Sequence, residues 1–101
     1  MLKRNRRPTP PGVILKKYYM ERRGLTVTRL ATTTGLSRKH ISKIVNSGAG
    51  ISPEAAVRIA AVLDTTPALW LNLQGAVDLY DARKRLRLWR PREIVPPAAE
   101  A

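Results

Sequence analysis

The stretch Val27-Thr-Arg-Leu-Ala-Thr-Thr-Thr-Gly-Leu-Ser-Arg-Lys-His-Ile-Ser-Lys-Ile44 decides how this chain folds. Val27, Leu30 and Ala31 recur at i, i+3 and i+4 behind Thr26, whose hydroxyl suits an N-cap, so a short helix is predicted there. It must stop near Thr34-Gly35, because glycine takes up the positive φ that a tight turn needs. Ser37 then caps a second helix, from about Ser37 to Ser47, in which Ile41, Ile44 and Val45 form one apolar stripe. Arg38, Lys39, Ser42, Lys43 and Asn46 are left on its other faces. Ala31 is small enough for the two helices to cross closely, and Gly35 follows four positions later. Ile41, six positions after Gly35, points back at the first helix, and Leu30, Leu36 and Ile44 complete the inner surface.

Small residue, turn glycine, inward apolar residue and polar outer face agree at the spacing of a helix-turn-helix. In that arrangement the second helix enters the major groove of DNA, its first residues nearest the base edges. Arg38 and Lys39 can donate to guanine O6 and N7 or to phosphate. Ser42 and Lys43, a turn further on, can reach bases or backbone. Asn46 has the groups to pair with adenine but sits far along the helix, where a phosphate contact or a C-cap is the alternative. Ser37 can combine capping with a phosphate contact, and Thr26 and Thr28 open the preceding helix where backbone phosphate would lie. His40 is read as facing solvent or phosphate, not as a metal ligand or pH switch.

Outward from the motif, helix signals stay dense. Pro8-Thr9-Pro10-Pro11-Gly12 is extended, since a residue before proline is pushed out of the helical region. A first helix from Val13 to Arg23 carries Ile14, Leu15, Tyr18 and Tyr19 and ends at Gly24. Ser52-Pro53-Glu54 places an N-cap, a proline at the first helical position and an acid in the first turn; Thr66-Pro67 repeats the cap and proline. The fourth helix, about Pro53 to Leu63, has Val57, Ala60 and Leu63 in phase. The fifth starts at Pro67 with Leu69, Leu73, Ala76 and Tyr80 on one side and Trp70 and Val77 close by, and is expected to run to about residue 90, before Pro91. Its stripe is either internal core or a self-association surface, for which Leu69, Trp70, Leu73, Val77 and Tyr80 are the candidates. Residues 1–10 thus read as a basic arm, 11–90 as one helical domain with the motif at about 26–47, and 91–101 as a flexible tail.

Composition bounds the chemistry. With 19 Lys and Arg against 7 Asp and Glu in 101 residues, the net charge is +12, which fits a polyanionic partner. The absence of cysteine excludes disulfides, thiolate metal sites and thiol catalysis, and one histidine with few carboxylates makes no zinc site. No cofactor is expected. Neither a membrane span of about 20 apolar residues nor a secretory signal is visible, so a cytoplasmic location is expected. No Ser/His/Asp set, carboxylate pair or phosphate-cradling glycine loop suggests an enzyme. Lys3, Arg4, Arg6 and Arg7 form either a DNA-reaching arm or an exposed tail. Arg83 to Arg92 either touch DNA or an acidic partner, or solvate a helix face.

From about Pro11 to Arg83 the chain resembles the HigA-type antitoxins, a branch of the Xre/Cro-like helix-turn-helix proteins. The resemblance rests on Pro11-Gly-Val-Ile-Leu15, Gly35-Leu-Ser-Arg-Lys-His-Ile-Ser42, Gly50-Ile-Ser-Pro-Glu-Ala-Ala-Val-Arg58 and Thr66-Pro-Ala-Leu-Trp-Leu-Asn-Leu-Gln74. It implies an all-α, five-helix, lambda-repressor-like domain and a homodimer formed through the last helix. It also implies repression of the protein's own operon and neutralisation of a HigB-type toxin, a RelE-like ribonuclease that cleaves mRNA. A stand-alone repressor of the same fold is the alternative. The chain departs from the family at Val27, where glutamine is frequent, and in the basic extension after Asp81.

Overall fold

A computed structural model describes residues 6–99. Five helices follow one another. The first, α1 (residues 11–23), is α-helical over Pro11–Ile14 and Glu21–Arg23 and widens to π geometry over Leu15–Met20. Then come α2 (Val27–Thr34), α3 (Arg38–Ser47), α4 (Pro53–Leu63) and α5 (Pro67–Arg85). No strand occurs among the described residues.

The starts of α2 to α5 are the ones that the capping chemistry predicts. Thr26, Ser37, Ser52 and Thr66 are all extended, and each accepts a hydrogen bond from the backbone N–H three residues on, at 3.0–3.2 Å. Each cap satisfies a donor that the helix cannot pair internally. Gly35 ends α2 with φ at 79°, as the tight turn requires.

Leu15, Leu30, Ile41, Ile44, Ile59, Leu63 and Trp70 are fully buried, drawn from all five helices around one core. Two close approaches set its geometry. The backbone of Gly12 lies against the Ile44 carbonyl so closely that a Cβ at Gly12 would overlap it, which fixes α1 on α3. Trp70 meets Tyr19 edge-on at 5.2 Å between centroids, and its indole N–H donates to Thr65 Oγ1 at 2.8 Å, so the ring is buried with its polar edge paired.

Four expectations need correction. First, α1 starts at Pro11, not Val13. Its widened turn pairs Glu21 N–H with Lys16 C=O and changes the phase, so Leu15 and Met20 face inward while Tyr18 is 51% exposed beneath Arg22. Second, Val57 is 56% exposed. The buried residues of α4 are Ala55, Ala56, Ile59, Ala60 and Leu63, and Val57, about 100° on from Ala56, falls outside their arc. Third, Trp70 and Val77 are the inward residues of α5; Leu69 and Leu73 flank them, and Ala76 is exposed. Fourth, α5 ends at Arg85 rather than near residue 90. Leu86, Leu88 and Trp89 are all exposed, so no packed face sustains further helical turns.

Candidate nucleic-acid interface

The two capped helix starts of the central motif define a surface. Ser37 caps α3, and Arg38 and Lys39 stand exposed in its first turn. Lys43 and Asn46 are exposed further along, Ser42 and His40 are half-buried, and Ile41, Ile44 and Val45 are buried beneath. Thr26 caps α2, with Thr28 exposed beside it. Both capping hydroxyls accept from backbone N–H groups, which leaves their O–H hydrogens to donate elsewhere. All nine residues singled out for this surface therefore lie on the motif's helices or at their caps: Thr26, Thr28, Ser37, Arg38, Lys39, His40, Ser42, Lys43 and Asn46.

Charge sharpens the picture. No acidic residue occurs between Glu21 and Glu54, whereas Arg22, Arg23, Arg29, Arg38, Lys39 and Lys43 do. The outward surface of the motif carries cations and hydroxyls with no carboxylate of its own to neutralise them, which suits a polyanion.

Two supporting residues lie outside the motif. Arg58 of α4 donates to the Thr34 carbonyl at 2.8 Å and to Glu54 at 3.1 Å, bracing the end of α2 where the tight turn begins. Lys16 of α1 donates to Asn46 Oδ1 at 3.1 Å, and Asn46 Nδ2 donates to Ser42 Oγ at 3.2 Å. Asn46 is thus not the C-cap of α3, a position taken by Gly48. Neither Arg58 nor Lys16 is visible to local pattern reading, because the partners lie 24 and 30 residues away. Beyond α3, Ile51 N–H donates to Gln74 Oε1 at 2.9 Å and ties the following loop to α5.

The other basic clusters behave differently. Lys3 and Arg4 lie outside the described residues. Arg7 instead folds back onto α5, where two hydrogen bonds of 2.9 Å join it to the Asp81 carboxylate. Hydrogen bonding to Arg7 holds the Asp81 carboxyl below the usual carboxylate range and raises the guanidinium in turn. Arg83, Lys84, Arg85, Arg87, Arg90 and Arg92 are exposed.

The five residues proposed for self-association do not form one surface. Trp70 and Val77 are buried within the single chain and hold α5 to its own core, so their side chains are not presented to a partner. Leu69, Leu73 and Tyr80 are half-buried along one flank, and Leu79, absent from the expected set, is 50% exposed. No helix among the described residues is long and apolar enough to cross a membrane, and no group of three His, Cys, Asp or Glu side chains gathers there.

Residues 16–70, which span the motif, the later part of α1, all of α4 and the start of α5, match the helix-turn-helix family. The chain is also 42% identical over 85 residues to antitoxin HigA-1 of Vibrio cholerae serotype O1, covering 84% of this chain and 80% of that one. The chain belongs to the helix-turn-helix family, in the branch that holds the HigA-type antitoxins. A second relative in the family is YbaQ of Escherichia coli K12, an uncharacterised helix-turn-helix transcriptional regulator. It is 39% identical over 87 residues, covering 86% of this chain and 77% of YbaQ. Among solved structures, antitoxin GraA in complex with its operator superposes with a TM-score of 0.80 at 32% identity, covering 95% of this chain and all of GraA. The family thus accounts for α1 to α5 as a unit, including the segments around Pro53 and Pro67 that carry no DNA-binding chemistry of their own.

Proposed function

We propose that this protein is an operator-binding antitoxin, which represses its own operon as a homodimer and neutralises a HigB-type toxin with RelE-like mRNA-cleaving activity. The observation that carries the DNA-binding half is the carboxylate-free face of α3, with Arg38 and Lys39 in the first turn beside the Ser37 cap. The likeness to GraA on its operator supports the same reading. The α3 helix lies in the major groove, Arg38 and Lys39 donate to guanine or to phosphate, and Thr26, Thr28 and Ser37 hold the backbone. A two-fold axis places the α3 helices of two copies about 34 Å apart, one turn of an inverted repeat. The dimer surface is the outer flank of α5, with Leu69, Leu73, Leu79 and Tyr80, and without Trp70 and Val77.

The toxin half is supported by the likeness to HigA-1 and is tested by co-expression with the product of the adjacent gene. Rescue of growth and co-purification support the antitoxin. A harmless neighbour, or one that does not bind, leaves a stand-alone repressor, the reading that the YbaQ likeness favours. For base reading, Arg38→Ala is expected to cost about 1–3 kcal/mol on the operator and relax preference at one base position. Equal loss on every sequence makes Arg38 a phosphate contact.

A further inference from the structure

We propose that Lys16 of α1, outside the helix-turn-helix, binds a backbone phosphate of the duplex that α3 reads, and that Asn46 aims it there. This rests on the DNA-binding reading above and adds α1 to the interface as a third helix beside α2 and α3. Gly12 and Lys16 are one turn apart on α1, and both face α3: Gly12 against the Ile44 backbone, Lys16 on Asn46 Oδ1 at 3.1 Å. The Gly12 contact leaves little room for α1 to slide on α3, so it fixes the base of the Lys16 side chain, and the bond to Asn46 brings the ammonium to the row that Ser42 and Asn46 occupy.

The partner chemistry points to an anion. Lys16 is exposed, and the group on which it rests is a neutral amide carbonyl. Such a bond is weak in water, whereas an ammonium on a phosphate oxygen is charge-assisted, and the ammonium has three N–H donors, so it can bind phosphate while it rests on Asn46. The same network gives Asn46 a different task from base reading. An asparagine that reads adenine presents its carbonyl and its amide together to the base. Here the carbonyl accepts from Lys16 and the amide donates to Ser42, so both groups are engaged along the protein surface. In this proposal Asn46 acts as a positioning residue for Lys16 and not as a reader of adenine.

The test is the salt dependence of binding by the full chain to its promoter duplex and to a scrambled duplex. Wild type is compared with Lys16→Ala, Asn46→Ala and the double variant, and with Lys17→Ala as a control for loss of one positive charge. Removing one phosphate contact lowers the slope of log K against log salt by about 0.9. Lys16→Ala is expected to lose that much on both duplexes, with base preference unchanged at every position. Asn46→Ala loses part of it, and the double variant is no weaker than Lys16→Ala. A Lys16→Ala slope equal to that of wild type or of Lys17→Ala overturns the proposal, as does a change in base preference for Asn46→Ala. Failure of wild type to prefer its promoter overturns the operator reading instead, and the slopes on scrambled duplex still decide Lys16.

Discussion

Helices α3 and α5 start in the same way and end in different relations to the molecule. Both open on a hydroxyl cap that accepts the N–H three residues on. In α3 the apolar residues Ile41, Ile44 and Val45 share one arc and all are buried, while every charged residue lies outside it. In α5 the apolar residues encircle the helix: Trp70 and Val77 point inward, Leu69 and Leu73 lie at the margin, and Leu79 points away. Where polar side chains mark the outer face, periodicity identifies the inner one. Where both faces are apolar, only packing decides, and α5 is left with a surface that its own chain does not cover.

The sharpest way to break this comparison is at two glycines, Gly12 packed against α3 and Gly75 on the open side of α5. At Gly12 a methyl group has nowhere to go except into the Ile44 carbonyl, so Gly12→Ala is expected to lose several kcal/mol or prevent folding, read by urea unfolding. At Gly75, on the outer side of α5, nothing lies within 4 Å of an added Cβ. There Gly75→Ala should be stabilising by up to about 1 kcal/mol from helix propensity, measured at a protein concentration low enough to keep the chain monomeric. A loss at Gly75 as large as at Gly12 would mean that the outer face of α5 is packed in the single chain.

Within α5 itself, Trp70→Ala is expected to cost about 3–5 kcal/mol, because it empties a fully enclosed site and strands Thr65. Leu79→Glu should leave monomer stability within about 0.5 kcal/mol and lower the apparent mass in sedimentation if α5 joins two copies. Reversal of that order, with Leu79 critical for folding and Trp70 for assembly, contradicts the inward and outward assignment.

Smaller effects follow at the caps and the arm. Ser37→Ala is expected to cost about 1 kcal/mol by thermal or urea unfolding, since His40 N–H loses its partner. The smallest concerns Arg7 and Asp81. The Asp81 carboxyl is held below its ordinary range when folded, so the stabilisation is present above the unfolded-state pKa and is lost as pH falls through the depressed folded value. In a pH series of melting curves from neutral to acid, wild type should lose slightly more than Asp81→Asn. The difference is small because the pair is exposed to solvent.

The legible parts of the sequence were those in which a single residue type has one physical use. Ser52-Pro53 and Thr66-Pro67 each join a capping hydroxyl to a proline that suits the first helical position, and Ala31, Gly35 and Ile41 have few alternatives at that spacing. The α1 register was not legible, because a π turn changes the phase without any residue that announces it. Lys16 and Arg58 were not legible as supports of the interface either. Their bonds to Asn46 and Thr34 depend on how whole helices cross, and lysine or arginine on a helix surface is ordinarily just solvated. The basic arm shows the converse: Arg7 looks like a free cation in sequence and is committed to Asp81 on the far side of the chain.

The most direct test of the account is a footprint of the purified protein on its own upstream promoter, titrated against scrambled duplex at two salt concentrations. The account predicts a protected site with two-fold symmetry, half-sites about one helical turn apart, and binding at least ~1,000-fold tighter than to scrambled DNA. Equal binding to both duplexes, strongly weakened by salt and without a symmetric footprint, would contradict it and reduce the surface of α3 to a non-specific cation patch.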